Sequence, residues 1–105
     1  MGSMDAHDTI NAANAEAART AGWPELTGTD KQLGWATTAR ANKVREFETM
    51  QMRSAEKDWW RKVLLRELLA GAWIDNRYGP WQALAIINLN EEERADLLAG
   101  RFANR

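Results

Sequence analysis

Apolar residues recur along this chain at helical rather than strand spacing. The pattern is strongest from Ala55 to Leu69, where Trp60, Val63, Leu64, Leu68 and Leu69 share one broad face and Lys57, Asp58, Arg61 and Lys62 favour the other. This segment is predicted to be the central core helix, with Ser54 as a candidate N-cap. Before it, Leu33, Ala36, Val44, Phe47 and Met50 make a less regular stripe on a long helix from Lys31 to about Arg53, capped by Thr29 or Asp30. After it, Gly71 weakens the helix, and Ala72 to Arg77 forms a final or separate turn closed by Tyr78-Gly79. Pro80 at a first helical position opens a short apolar helix, Trp81 to Ile87. Asn88 or Asn90 caps the last helix. There Glu91, Glu92 and Glu93 suit the positive end of the dipole, and Leu97 and Leu98 are the expected anchors.

The N-terminal segment, Asp5 to Thr20, has only Ile10 as a large apolar residue. Its alanines favour helix, and Asp8 or Thr9 can cap one. With so little to bury, this helix is expected to dock lightly or fray, and Gly22-Trp23-Pro24 ends it. Neither β-alternation nor an internal repeat is present. The expectation is therefore an all-α protein: a compact bundle of five to six helices, orthogonal rather than coiled-coil. Residues 5–22 form its N-terminal Ala-rich helix and residues 23–105 its helical core. Met1-Gly2-Ser3-Met4 reads as an expression scar ahead of an initiator at Met4.

Composition narrows the function classes. The chain of 105 residues contains no cysteine, which removes disulfides, thiolate catalysis and Cys-based zinc sites. The longest apolar-rich run, Val63 to Ile74, is interrupted by Arg66 and Glu67 and falls short of the roughly 20 apolar residues of a membrane span. Without a visible signal peptide either, a cytoplasmic protein is expected. Six tryptophans are more than a core of this size hides comfortably, so at least one is expected to be partly exposed.

Charge is unevenly spread. Residues 1–30 carry a net −4, residues 31–66 a net +5 and residues 67–105 a net −2. In the middle third, Arg40, Lys43, Arg45, Arg53, Lys57, Arg61 and Lys62 can form a basic ridge beside Trp59. Phosphate neutralisation with aromatic stacking is one way to hold nucleic acid. The alternative is a solvated ridge partly neutralised by Glu46, Glu48, Glu56 and Asp58, and the pI of about 5.8 favours it.

Candidate catalytic chemistry is sparse. His7, the one histidine, sits in the polar N-terminal segment, away from any core cleft. Phosphate-binding loops, dinucleotide turns and nucleophile elbows are missing. Glu46 and Glu48, two residues apart, point to different sides of a helix. No cofactor or metal is implied, and the expected activity is binding rather than catalysis.

Two stretches carry a resemblance. The first is Leu26-Thr27-Gly28-Thr29-Asp30-Lys31-Gln32-Leu33-Gly34-Trp35-Ala36 and the second is Trp73-Ile74-Asp75-Asn76-Arg77. Together they resemble a paired signature, Gly-Ser-Glu-Lys-Gln-x-x-Trp-Ala followed by Ile-Asp-Asn-Arg, found in a family of phage, plasmid and integrative-element proteins that includes a type I-E anti-CRISPR protein. Thr29 and Asp30 replace Ser and Glu, and both ends of the chain lie outside the match. The resemblance implies a non-enzymatic inhibitor that binds a defence complex of a bacterial host, a type I CRISPR effector being the first candidate.

Read from the residues alone, Thr29 caps a helix and Gln32 can return the bond in a capping box. Trp35 follows Lys31 by one turn. Gly28, Lys31, Gln32 and Trp35 are then expected to clasp Trp73, Asp75, Asn76 and Arg77, with Asp75 and Arg77 bonding backbone ends of the first stretch. A ligand site shared by the two stretches is the competing reading. Trp59, Arg61, Lys62 and Trp81, with Arg40 and Lys43, are the predicted partner contacts. Nucleic-acid binding and a homodimeric structural role remain alternatives.

Overall fold

Two helices of this chain open at capping boxes and one stops at a glycine, whereas another boundary follows a backbone pairing that no local signal announces. The computed structural model describes residues 6–100, with side chains described from Asp8 onward. The expected scar at Met1–Met4 and the His7 side chain lie outside the described residues.

Helix α1 (Ala6–Ala21) ends where expected. Gly22 takes φ +76°, its N–H bonds to the Arg19 carbonyl at 3.1 Å, and the Trp23 N–H bonds to the Ala18 carbonyl at 3.0 Å. That pair of bonds is a Schellman closure, which needs a left-handed residue and so favours glycine. Helix α2 (Asp30–Glu48) opens with the predicted capping box. The Gln32 N–H donates to Thr29 Oγ1 at 3.2 Å and the Thr29 N–H donates to Gln32 Oε1 at 3.0 Å.

Helix α2 stops at Glu48, short of the expected Arg53. The Thr49 hydroxyl donates back to the Glu46 carbonyl at 2.7 Å. Lys57 of α3 (Ser54–Leu64) donates to the Glu48 carbonyl at 2.7 Å, so two side chains each satisfy one carbonyl of the last turn. Ser54 is the first helical residue of α3 and not its cap; Arg53 occupies the N-cap position without a side-chain bond.

The central helix is also shorter than its apolar pattern. It ends at Leu64, and Leu68 and Leu69 are 41% and 59% exposed rather than part of the core face. The cause is tertiary. Residues 68–70 pair with Thr27 in an isolated parallel bridge, with the Thr27 N–H on the Leu68 carbonyl at 2.6 Å and the Ala70 N–H on the Thr27 carbonyl at 2.8 Å. A backbone committed to that bridge cannot continue the α3 ladder.

Three short helices finish the chain: α4 (Ala70–Asp75), α5 (Trp81–Ile87) and α6 (Glu91–Leu98). Pro80 is the N-cap of α5, one position earlier than predicted. Asn90 caps α6 in a second box with Glu93. Glu93 also receives a two-pronged bond from Arg66, at 2.6 and 2.9 Å, which ties α6 to the segment that follows α3. The Glu93 bond holds the Arg66 guanidinium above its usual pKa. Leu97 packs on the core, but Leu98 is 89% exposed and anchors nothing.

The core is aromatic at its centre. Phe47 of α2, Trp60 of α3 and Trp81 of α5 meet edge to face, with centroid separations of 4.8 Å for Phe47–Trp81 and 5.4 Å for Trp60–Trp81. Val63, Leu64, Trp73 and Leu84 are fully buried around them. Trp81, predicted as an exposed contact, is therefore a core residue. It opens a helix whose next buried positions, Leu84 and Ala85, lie on the same side. Among the described residues, the architecture is an all-α bundle of six helices. No described helix is long and apolar enough to cross a membrane.

Candidate functional site

The two signature stretches meet in space, and backbone rather than charged side chains joins them. The Thr27 bridge places Gly28 against Ala70 so closely that a Cβ on Gly28 would stand 2.8 Å from the Ala70 Cβ. Glycine is required here by proximity, not by its backbone angles. The Gln32 side chain, held in the capping box, borders Gly71. The start of α2 and the start of α4 are thereby locked side by side. The expected bonds from Asp75 and Arg77 to the first stretch do not form. Asp75 is exposed, and Arg77 Nη1 donates to the Ile74 carbonyl of its own turn at 2.5 Å. Backbone pairing already satisfies the groups those side chains were expected to reach.

What the clasp leaves outside is an aromatic patch. Trp35 on α2 is 46% exposed, and Tyr78 just beyond α4 is 90% exposed. The Arg77 guanidinium lies 4.6 Å from the Tyr78 ring centroid, a cation–π contact. Trp35, Ile74, Arg77 and Tyr78 line an open groove of about 430 Å³. A second groove of about 210 Å³ adjoins it, where Trp35, Arg77 and Tyr78 meet Thr38, Ala39 and Asn42.

The turn bearing Tyr78 is held from both sides. Asn76 Nδ2 donates to the Ala72 carbonyl at 2.9 Å and the Gly79 N–H to the Asn76 carbonyl at 3.0 Å. Lys43 of α2 donates its ammonium to the Gly79 carbonyl and, at 3.1 Å, to Glu46. A preorganised surface rich in Trp, Tyr and Arg is the composition of a binding hot spot. The larger groove presents apolar surface and one guanidinium, and among the described residues no carboxylate lines it. Among the described residues, no group of three or more His, Cys, Asp or Glu is placed to hold a metal ion.

The predicted contact residues are dispersed. Arg40 and Lys43, expected on the surface, are each only 4% exposed. They continue the core-facing stripe of Ala36, Ala39, Val44 and Phe47, where long aliphatic stems bury readily. Lys43 reaches the Gly79 carbonyl. Arg40 Nη1 donates to the Pro24 carbonyl at 2.7 Å.

Arg61 is partly exposed but committed. It forks onto Glu48 at 2.7 and 2.8 Å and meets Asp58 at 2.7 Å. These bonds hold its guanidinium above its usual pKa, and the Arg61 bond in turn lowers that of Glu48. Trp59 is half-buried and packs edge-on against Trp60, 4.8 Å away. Lys62 is exposed as expected. With Arg40 and Lys43 inside and Arg61 paired, the basic ridge is not a continuous surface.

Comparison with known proteins finds no family model, no curated protein and no solved structure that matches the chain. The patch therefore rests on its own geometry. Sequence reasoning placed Trp35 and Arg77 in a motif but treated Tyr78 only as a helix terminator. An aromatic directly before Gly-Pro, on a turn that packing cannot cover, was the available signal.

Proposed function

We propose that the chain is a non-enzymatic binding protein whose working surface is the Trp35–Ile74–Arg77–Tyr78 patch, and that it inhibits a bacterial defence complex by occluding a protein surface on it. The supporting observation is that the two stretches carrying the anti-CRISPR-family resemblance converge on this patch, which keeps Trp35 and Tyr78 exposed. Large aromatic side chains left in water cost free energy that a partner surface recovers. Type I CRISPR effectors are the first candidate target, on the resemblance.

The experiment is binding of the purified protein to a purified type I-E effector complex, paired with DNA interference in cells. Wild-type protein binds and blocks interference, whereas the double variant Trp35→Ala, Tyr78→Ala loses both while keeping its melting temperature. Equal inhibition by the double variant would move the working surface elsewhere. Salt-sensitive binding to random duplex DNA, with none to the effector, would replace the reading with nucleic-acid binding.

A further inference from the structure

We propose that the cleft between α1 and the Trp23–Leu26 connector is a binding site for an organic carboxylate bearing one apolar group, with Arg40 receiving the carboxylate. This site is separate from the aromatic patch. It begins with a buried cation that has no counter-ion among the described residues. Arg40 is 4% exposed, and no described carboxylate is ion-paired with it, although Arg61 and Arg66, both more exposed, each hold one or two. Its contacts are the Pro24 carbonyl on Nη1 and the Trp23 ring, 5.2 Å from the guanidinium carbon. Arg40 Nε is buried with no hydrogen-bond partner. A guanidinium carries five N–H donors in a planar fork that fits a carboxylate, so most of that capacity is unspent. Burial lowers the Arg40 pKa, as it must for a cation without a compensating charge.

Arg40 lines a cleft of about 340 Å³, within the range of small-molecule sites. Trp23, Leu26 and Leu33 give the cleft apolar walls, and Arg19 and Glu25 stand at its exposed edge. Arg19 is already paired with Glu16 and is 69% exposed. Glu25 is exposed and repels negative charge, so a ligand with one carboxylate and an uncharged body fits better than a dicarboxylate. A free small acid and the C-terminus of a peptide ending in an apolar residue share this chemistry.

Arg40 can be watched directly through its ¹⁵N Nε–Hε resonance, assigned by its loss in Arg40→Lys. Titration with 3-phenylpropionate is expected to move this resonance saturably, whereas 3-phenylpropanamide, with the same body and no charge, leaves it in place. Arg40→Lys should weaken binding of the acid at least about tenfold, followed by tryptophan fluorescence. Should that variant fail to fold, Ala15→Leu narrows the cleft from the α1 side with Arg40 intact, and it too should weaken binding at least about tenfold. Comparing an N-acetylated tripeptide ending in phenylalanine with 3-phenylpropionate identifies the source: tighter binding of the peptide indicates a protein C-terminus, weaker binding a free acid. The proposal is overturned if acid and amide act alike, if the resonance stays fixed up to about 10 mM acid, or if Ala15→Leu binds as well as wild type.

Discussion

Two helices pack against α2 by opposite means. Helix α4 has six residues, yet it buries Trp73 completely, joins α2 through the Thr27 bridge and brings Ala70 against Gly28. Helix α1 has sixteen residues, yet among its described side chains Ala18 is the only apolar one it buries, and Ile10 stays 49% exposed. Its grip on α2 is polar. Asn14 Nδ2 donates to Thr38 Oγ1 at 3.0 Å, and that hydroxyl donates to Asn11 Oδ1. The lesson is that apolar area and backbone pairing set a helix's contribution, and length does not. Polar contacts exchange against water and return about 1 kcal/mol each.

That contrast can be broken at the α4 side first. Trp73→Ala removes a fully buried indole whose Nε1–H donates to the Glu67 carbonyl at 2.9 Å. It should cost about 3–5 kcal/mol, most of the stability of a small domain, and urea unfolding followed by circular dichroism should lose most of its native baseline. Gly28→Ala drives a methyl into Ala70 and should cost about 1–3 kcal/mol. Removing the opposing methyl tests the contact itself. In a double-mutant cycle with Ala70→Gly, the pair should be less damaging than the sum of the singles by at least about 0.5 kcal/mol, and strict additivity would dismiss the clasp.

On the α1 side, Thr38→Val deletes the hydroxyl that bridges Asn11 and Asn14. The expected cost is about 1 kcal/mol, and it should be local. Amide exchange in α1 should quicken while protection in α3 stays as it was; equal loss in both would show α1 to be integral to the core.

The smallest effect concerns the α2–α3 corner. The Arg61 bond holds Glu48 below the usual carboxylate range, so the stability it adds is present above about pH 4.5 and is lost as pH falls through the lowered value. Glu48→Gln should cost under about 1 kcal/mol at pH 7, because the pair is partly exposed and screened. The melting temperature of the variant should then fall less steeply as pH drops below about 4.5 than that of wild type. Parallel pH profiles would mean the pair contributes nothing.

The same contrast explains which features were legible beforehand. Both halves of the Thr29–Gln32 box are three residues apart, and the Gly22 stop is set by neighbours within five residues. Such contacts are written in consecutive residues. The Leu64 boundary was not, because Leu68 and Leu69 continue the apolar pattern and only Thr27, some forty residues upstream, draws them out. Arg40 and Lys43 misled for a related reason. Their charge suggested a surface, but helical phase places them beside Ala36, Val44 and Phe47.

Of the candidate site, Trp35 and Arg77 could be named and their convergence could be expected. That Tyr78 would complete the patch, and that Asp75 would stay outside the clasp, could not.

Local order alone settled the helical class, the Thr29–Gln32 box, the Gly22 stop and the presence of an exposed tryptophan, since periodicity and capping act over one or two turns. Which tryptophan faces water, where the central helix ends and which cations lie inside were decided by the packing of α2 against its neighbours. Burial belongs to the assembled surface, and a residue's phase on its own helix does not reveal what another helix will cover.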